Sequence, residues 1–132
     1  MVVPNIKNVA SLSIIQIAAE MERLRVKALD GSLQPVDLQG GTITLSNIGN
    51  IGGTLLHPVL VSSQVCIGAI GKSRRVPMYD IVDGVEIIAP KTVVDISFNA
   101  DHRVIDGATM ARFVQTWKGY LEKPDTLAAT LK

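Results

Sequence analysis

Between residues 92 and 121 the hydrophobic pattern changes its period, and any fold for this chain has to accommodate that change. Thr92-Val-Val-Asp-Ile-Ser-Phe98 alternates and is rich in β-branched residues, which predicts a strand. Met110, Phe113, Val114, Trp117, Tyr120 and Leu121 recur at helical spacing, which predicts a helix over about 106–122. The two patterns meet in Ala100-Asp101-His102-Arg103-Val104-Ile105-Asp106-Gly107. Asp106 stands where an N-cap is needed, its carboxylate able to accept from backbone N–H groups at the positive end of the helix. Gly107 allows close backbone approach. His102, one of two histidines, is thereby set on a short connection between two rigid elements, a good place for a catalytic base.

At 132 residues the chain is one domain at most, large enough to bury a core. Thirteen basic against twelve acidic residues, without a basic block, offer nucleic acid no electrostatic footing. The single Cys66 excludes an internal disulfide and a cysteine-built metal site; within Val65-Cys66-Ile67 it reads as a buried small hydrophobe. No stretch of about 18 apolar residues is present, so no membrane span is expected. The first residues show neither a secretory apolar segment nor an Arg-rich leader.

Taken in order, residues 1–10 read as an extended lead-in containing Pro4. Ser11 or Ser13 caps an amphipathic helix over about 12–29, with Ile14, Ile17, Ala18, Met21, Leu24 and Ala28 as its core-packing face. Asp30-Gly31 stops it, and residues 30–41 read as a polar connection with a turn at Asp37-Leu38. Thr42 to Ser46 is a strand, and the glycine-rich Asn47-Ile-Gly-Asn-Ile-Gly-Gly53 predicts tight turns with close backbone approach. It lacks the residues of a phosphate loop. His57 has no acidic partner at a recognisable spacing and reads as structural or exposed. Gln64–Ile70 reads as a buried strand, Lys72-Ser-Arg-Arg75 as a solvated strand edge or turn, and Asp83-Gly84 as a hairpin turn. Val85–Ile88 and Lys91–Phe98 are expected to pair around a bulge or edge at Pro90. Lys123-Pro124 ends the last helix, leaving a short apolar tail.

Asp101-His102-Arg103-x-x-Asp106-Gly107 resembles the signature of the dihydrolipoamide acyltransferases, the cores of the 2-oxo acid dehydrogenase complexes; chloramphenicol acetyltransferase shares the His-x-x-x-Asp-Gly spacing. Three further stretches match in order: Val3–Val9, Gly41-Thr-Ile-Thr-Leu-Ser46-Asn-Ile-Gly49-x-x-Gly52-Gly53, and Asp106–Phe113. The similarity runs nearly end to end and is nearest to the branched-chain member. It implies an α+β fold of the chloramphenicol-acetyltransferase type, a sandwich of a mixed β-sheet with helices on one face, incomplete at the N-terminus. Residues 1–132 then correspond to the C-terminal part of the catalytic domain, with the lipoyl and subunit-binding domains absent from this stretch.

The resemblance implies transfer of an acyl group, branched-chain by that likeness, from dihydrolipoamide to coenzyme A. A thiol with an ordinary pKa near ~8.5 is mostly protonated at neutral pH and needs a base. His102 is the expected base, with its second nitrogen held by a backbone carbonyl. Ser46 is the expected donor to the tetrahedral oxyanion; Thr44, nearer the strand interior, is second choice. Asp106 is expected to lock the active-site loop, in the family often through a cation, and Arg103 to pair or orient beside His102. Asp101 reads as structural. The residues that bind coenzyme A are not assigned, and no resident metal is expected.

The resemblance further implies a homotrimer with sites between subunits, built into a larger core with other subunits of the complex. Leu131 is a candidate tail contact between trimers. The location implied is the mitochondrial matrix in a eukaryote and the cytoplasm in a bacterium. Two other functions compete: a catalytically silent assembly piece of the core, and an antibiotic acetyltransferase. Asp101-His102-Arg103 and Ser46-Asn47 disfavour the last.

Overall fold

A computed structural model describes residues 2–131. The chain divides into two compact units, one comprising the residues up to Thr42 and from Asp106 onward, the other Ile43–Ile105.

In the first unit, α1 (Ile14–Leu29) begins at a reciprocal cap. Ser13 Oγ accepts from Gln16 N–H at 3.3 Å, and Gln16 Oε1 accepts from Ser13 N–H at 2.8 Å. Along its expected core-packing face one residue is buried and two, Ile17 and Ala28, are half-buried. Leu24 is 4% exposed, whereas Ile14 and Met21 are 57% and 60% exposed. The predicted polar connection contains a helical turn, α2 (Pro35–Leu38), started by Pro35. Asp37 explains why it forms there. Its buried carboxylate accepts from Gln34 N–H (3.0 Å), Arg23 Nη2 (3.0 Å) and Lys27 Nζ (3.3 Å). The Gln34 N–H and the Arg23 guanidinium hold that carboxyl down to about 2. The lead-in is tied to the same turn: Asn5 N–H donates to Asp37 O at 2.8 Å, and Lys7 Nζ to Gln39 O.

The last helix, α3 (Gly107–Glu122), lies where its periodicity put it. Lys123 closes it and also opens α4 (Pro124–Thr130), so the tail is helical rather than a simple extension. Leu131 is 45% exposed.

In the second unit, β1 (Ile43–Asn47), β2 (Cys66–Ile70) and β5 (Ile96–Ala100) form a mixed sheet in the order β1-β2-β5. β1 runs parallel and β5 antiparallel to β2. The alternation of side chains sorts them to two faces. Leu45, Gly68 and Phe98 align on one face. A Cβ on Gly68 would stand 2.5 Å from the Phe98 ring and 2.9 Å from Leu45 Cδ2, so those side chains close over bare backbone. Cys66 is buried, and burial pushes its thiol up. The other face carries Thr44, Ser46, Ile67, Ala69, Ser97 and Asn99. Residues 56–64 are fastened to it by side-chain bonds: Ser97 Oγ to Leu56 O (2.5 Å), Asn99 Nδ2 to Pro58 O (2.5 Å), and Thr44 Oγ1 to Gln64 Oε1 (2.6 Å).

β3 (Arg74–Val82) and β4 (Val85–Val93) form a separate hairpin through the expected Asp83-Gly84 turn, both residues having positive φ. The expected pairing of Val85–Ile88 with Lys91–Phe98 is wrong. Lys91 lies in β4 itself and pairs with Val76, and Pro90 stands opposite Pro77. Counted outward from the two-residue turn, that pair occupies a non-hydrogen-bonded position, where neither missing N–H removes a ladder bond. The single strand expected over 92–98 is divided at Val94-Asp95. There the Asp95 carboxylate meets Arg74 at 2.5 Å and its carbonyl accepts from Gly71 N–H at 3.0 Å, turning the chain from hairpin to sheet.

Candidate active site

His102 lies in the turn that leaves β5, and it is exposed. The Asp101 carbonyl closes the turn, accepting from Val104 N–H at 3.1 Å and Ile105 N–H at 3.0 Å. The Asp101 N–H donates back to Val65 O at 2.9 Å. The Asp101 carboxylate then clamps the residue beyond His102: it accepts from Arg103 N–H (3.0 Å), Arg103 Nε (3.0 and 3.1 Å) and Arg103 Nη2 (2.6 Å). The Arg103 guanidinium holds the Asp101 carboxyl down to about 2. Asp101 and Arg103 thus bracket His102. Among the described residues no hydrogen bond to the His102 ring is formed, so the expected backbone carbonyl on its second nitrogen is not found within this chain.

Asp106 comes after the turn and caps α3, its Oδ1 accepting from Thr109 N–H at 2.6 Å. The capping expected from its position is therefore present. Gly107, expected to allow close backbone approach, opens α3, and a Cβ there would meet nothing within 4 Å among the described residues.

Ser46 is half-buried near the end of β1, beside Ala69 of β2 and, one strand further, Ser97 of β5. Three hydroxyls lie on this face. Thr44 Oγ1 donates to Gln64 and Ser97 Oγ to Leu56 O, whereas Ser46 Oγ has no partner among the described residues. Of the two residues considered as oxyanion donors, Thr44 is already committed and Ser46 remains available.

The sheet register separates the two groups. Cys66 of β2 is level with Ala100 and with Ile43, whereas Ser46 is level with Ala69 and Ser97, three positions along. Three residues of rise and two strand spacings put Ser46 and Ala100 about 14 Å apart at their Cα atoms. His102 lies beyond Ala100 at the far end. A base and an oxyanion donor serving one carbonyl must each come within about 3 Å of their atoms. The sheet of one chain does not bring these two together.

His57 is exposed, as expected. In the basic run, Arg74 pairs with Asp95, and Lys72 and Arg75 are exposed. No group of three or more His, Cys, Asp or Glu side chains suited to a metal ion occurs among the described residues. Nor, among them, is any helix long and apolar enough to cross a membrane. The pairing expected of Arg103 and the structural part expected of Asp101 are both present, as one fork that shapes the turn.

Residues 1–129 match the family model of 2-oxoacid dehydrogenases acyltransferase, catalytic domain. Over all 132 residues the chain is 50% identical to the lipoamide acyltransferase component of the branched-chain alpha-keto acid dehydrogenase complex, mitochondrial, of Caenorhabditis elegans, and covers 29% of it. The corresponding Mus musculus protein is 46% identical, with 27% covered. A structure of Azotobacter vinelandii dihydrolipoamide acetyltransferase, studied for the roles of a serine, a histidine and an asparagine in catalysis, is 37% identical. It superposes with a TM-score of 0.80 over 91% of this chain and 48% of that one. The cubic core of a pyruvate dehydrogenase multienzyme complex gives a TM-score of 0.80 at 36% identity, over 91% and 48% of the two chains. The chain thus spans about half of these solved structures and under a third of the curated relatives it matches. Its α+β fold, with a mixed sheet, is that of the acyltransferase cores, and the chain belongs to the 2-oxoacid dehydrogenase acyltransferase family, by its catalytic domain.

Proposed function

We propose that this chain is the C-terminal part of a catalytic domain that transfers an acyl group from dihydrolipoamide to coenzyme A, at a site shared between subunits. The carrying observation is the placement of Ser46 and His102 at opposite ends of one sheet, each exposed or half-buried with no internal partner among the described residues. Each can then serve a different site, completed by the other group from a neighbouring chain.

The chemistry rests on the side chains. The His102 imidazole takes the proton of the coenzyme A thiol. The thiolate sulfur attacks the thioester carbonyl of the acyl-dihydrolipoyl substrate, forming a new C–S bond. Ser46 Oγ–H donates to the oxyanion that develops. Collapse breaks the original C–S bond, and the imidazolium returns its proton to the departing dihydrolipoyl sulfur. Asp101 and Arg103 hold the turn on which the imidazole rides, and Asp106 anchors the start of α3 just after it. The serine, histidine and asparagine studied in the Azotobacter vinelandii relative support the reading; there the asparagine stands four positions after the histidine, where this chain has Asp106.

A branched-chain acyl group is favoured by the two branched-chain relatives. The lipoyl group is supplied by another domain. The working assembly is a homotrimer built into a larger core with the other subunits of a 2-oxo acid dehydrogenase complex, in the mitochondrial matrix of a eukaryote or the cytoplasm of a bacterium. Leu131 remains the candidate tail contact between trimers.

Coenzyme A-dependent acyl transfer by the intact assembled protein tests this reading. Activity that disappears with His102→Ala supports it. An assembled protein without transfer activity would instead identify a silent structural piece of the core.

A further inference from the structure

An oxyanion donor has to be held within about 0.5 Å of its working position. Ser46 is poorly placed for that by the sheet alone. β1 is an edge strand, paired only with β2 among the described residues, and Ser46 is its penultimate residue. The strand then runs into a glycine-rich loop, which by composition would be loose.

The loop is nevertheless closed at several points. Asn47 Oδ1 accepts from Gly49 N–H at 3.0 Å, an Asx turn directly after Ser46. The Ile48 carbonyl accepts from Ile51 N–H (2.8 Å) and Gly52 N–H (3.0 Å), and Lys72 N–H donates to Gly53 O at 2.8 Å. The loop also lies backbone to backbone on the end of β2. A Cβ on Gly71 would stand 2.0 Å from Thr54 O; one on Gly49 would stand 3.0 Å from Gly71 O and 3.2 Å from Asn47 Oδ1. The Asx turn of Asn47 thus closes onto a tight backbone junction between Gly49 and Gly71.

We infer that Asn47 is a positioning residue for the acyl-transfer step: by closing the Asx turn onto the Gly49–Gly71 junction, it fixes the end of β1 and so the direction of Ser46 Oγ. This rests on the role proposed for Ser46. Asn47 itself is exposed, so replacing it removes the turn without opening a core.

The test is a double-mutant cycle in the intact assembled protein, read as kcat and KM for coenzyme A. Asn47→Ala lowers kcat about 10–100-fold, the scale of a misplaced catalytic group, and leaves KM unchanged. Asn47→Ser, whose hydroxyl accepts from the same N–H in a weaker turn, restores a substantial part of the loss. In a Ser46→Ala background, Asn47→Ala has no further effect, because the group it positions is gone. Full activity in Asn47→Ala, no recovery in Asn47→Ser, or an undiminished loss in the Ser46→Ala background would overturn the inference while leaving the role of Ser46 standing. Full activity in Ser46→Ala would overturn both.

Discussion

The turn bearing His102 is closed from within: an Asp101 carbonyl, an Asp101 carboxylate and an Arg103 guanidinium, all inside five consecutive residues. The loop after Ser46 has bonds of its own but is also fastened from outside, by Ile70, Gly71 and Lys72 at and beyond the end of β2. A turn closed by its own side chains keeps its shape wherever the strand before it goes. A loop closed by a neighbouring strand keeps its shape only while that strand stays in register. His102 is thus independently presented, and Ser46 depends on the integrity of the sheet.

Substitutions can break or sharpen this contrast. The largest expected effect is on chemistry: His102→Ala lowers kcat by about 10²–10⁴, the usual worth of a general base, with no change in melting temperature, since the exposed ring makes no internal hydrogen bond among the described residues. Ser46→Ala comes second, with a loss of about 10²–10³ in kcat.

Stability should divide the two regions the other way. Gly71→Ala forces a methyl group against Thr54 O and destabilises the second unit by about 1–3 kcal/mol or more. Arg103→Ala removes a largely exposed partner, with an effect visible in amide exchange at residues 101–105 and not in global melting. If Arg103→Ala melted the protein and Gly71→Ala did not, the contrast would be reversed. Asp106→Ala removes the cap of α3 and costs about 1 kcal/mol, read from thermal melting.

Acid gives the smallest and most local effect. Asp101 titrates at about 2 in the folded chain, below the ordinary carboxylate range. Its contribution is therefore complete above about pH 4 and is lost as pH falls toward 2. Residues 47–56 contain no titratable side chain. Exchange protection should accordingly fall at Val104 and Ile105 as Asp101 protonates, before the Ser46 loop is affected.

The same contrast explains what could be read beforehand. The strand-to-helix junction around His102, the cap at Asp106 and the Asp83-Gly84 turn depend on neighbours in sequence, and each was legible. Gly49 after Ser46 was readable as a site of close approach, but its partner, Gly71, lies beyond another strand. Pro90 argued for a break because its opposite number, Pro77, becomes visible only once the hairpin register is known. Asp37 looked like part of a polar connection because Arg23 and Lys27 reach it from a separate helix. On β1 the apolar Ile43 and Leu45 are exposed, whereas Thr44 is buried against Gln64, a reversal no alternation pattern announces.

Mixing subunits tests the shared site most directly. His102→Ala and Ser46→Ala chains, each strongly impaired alone, are co-assembled and their mixed oligomers verified by native mass spectrometry before acyl transfer is measured. The sheet geometry predicts recovered activity, because some interfaces then pair an intact His102 from one chain with an intact Ser46 from the other. Verified mixed oligomers no more active than either parent would contradict it.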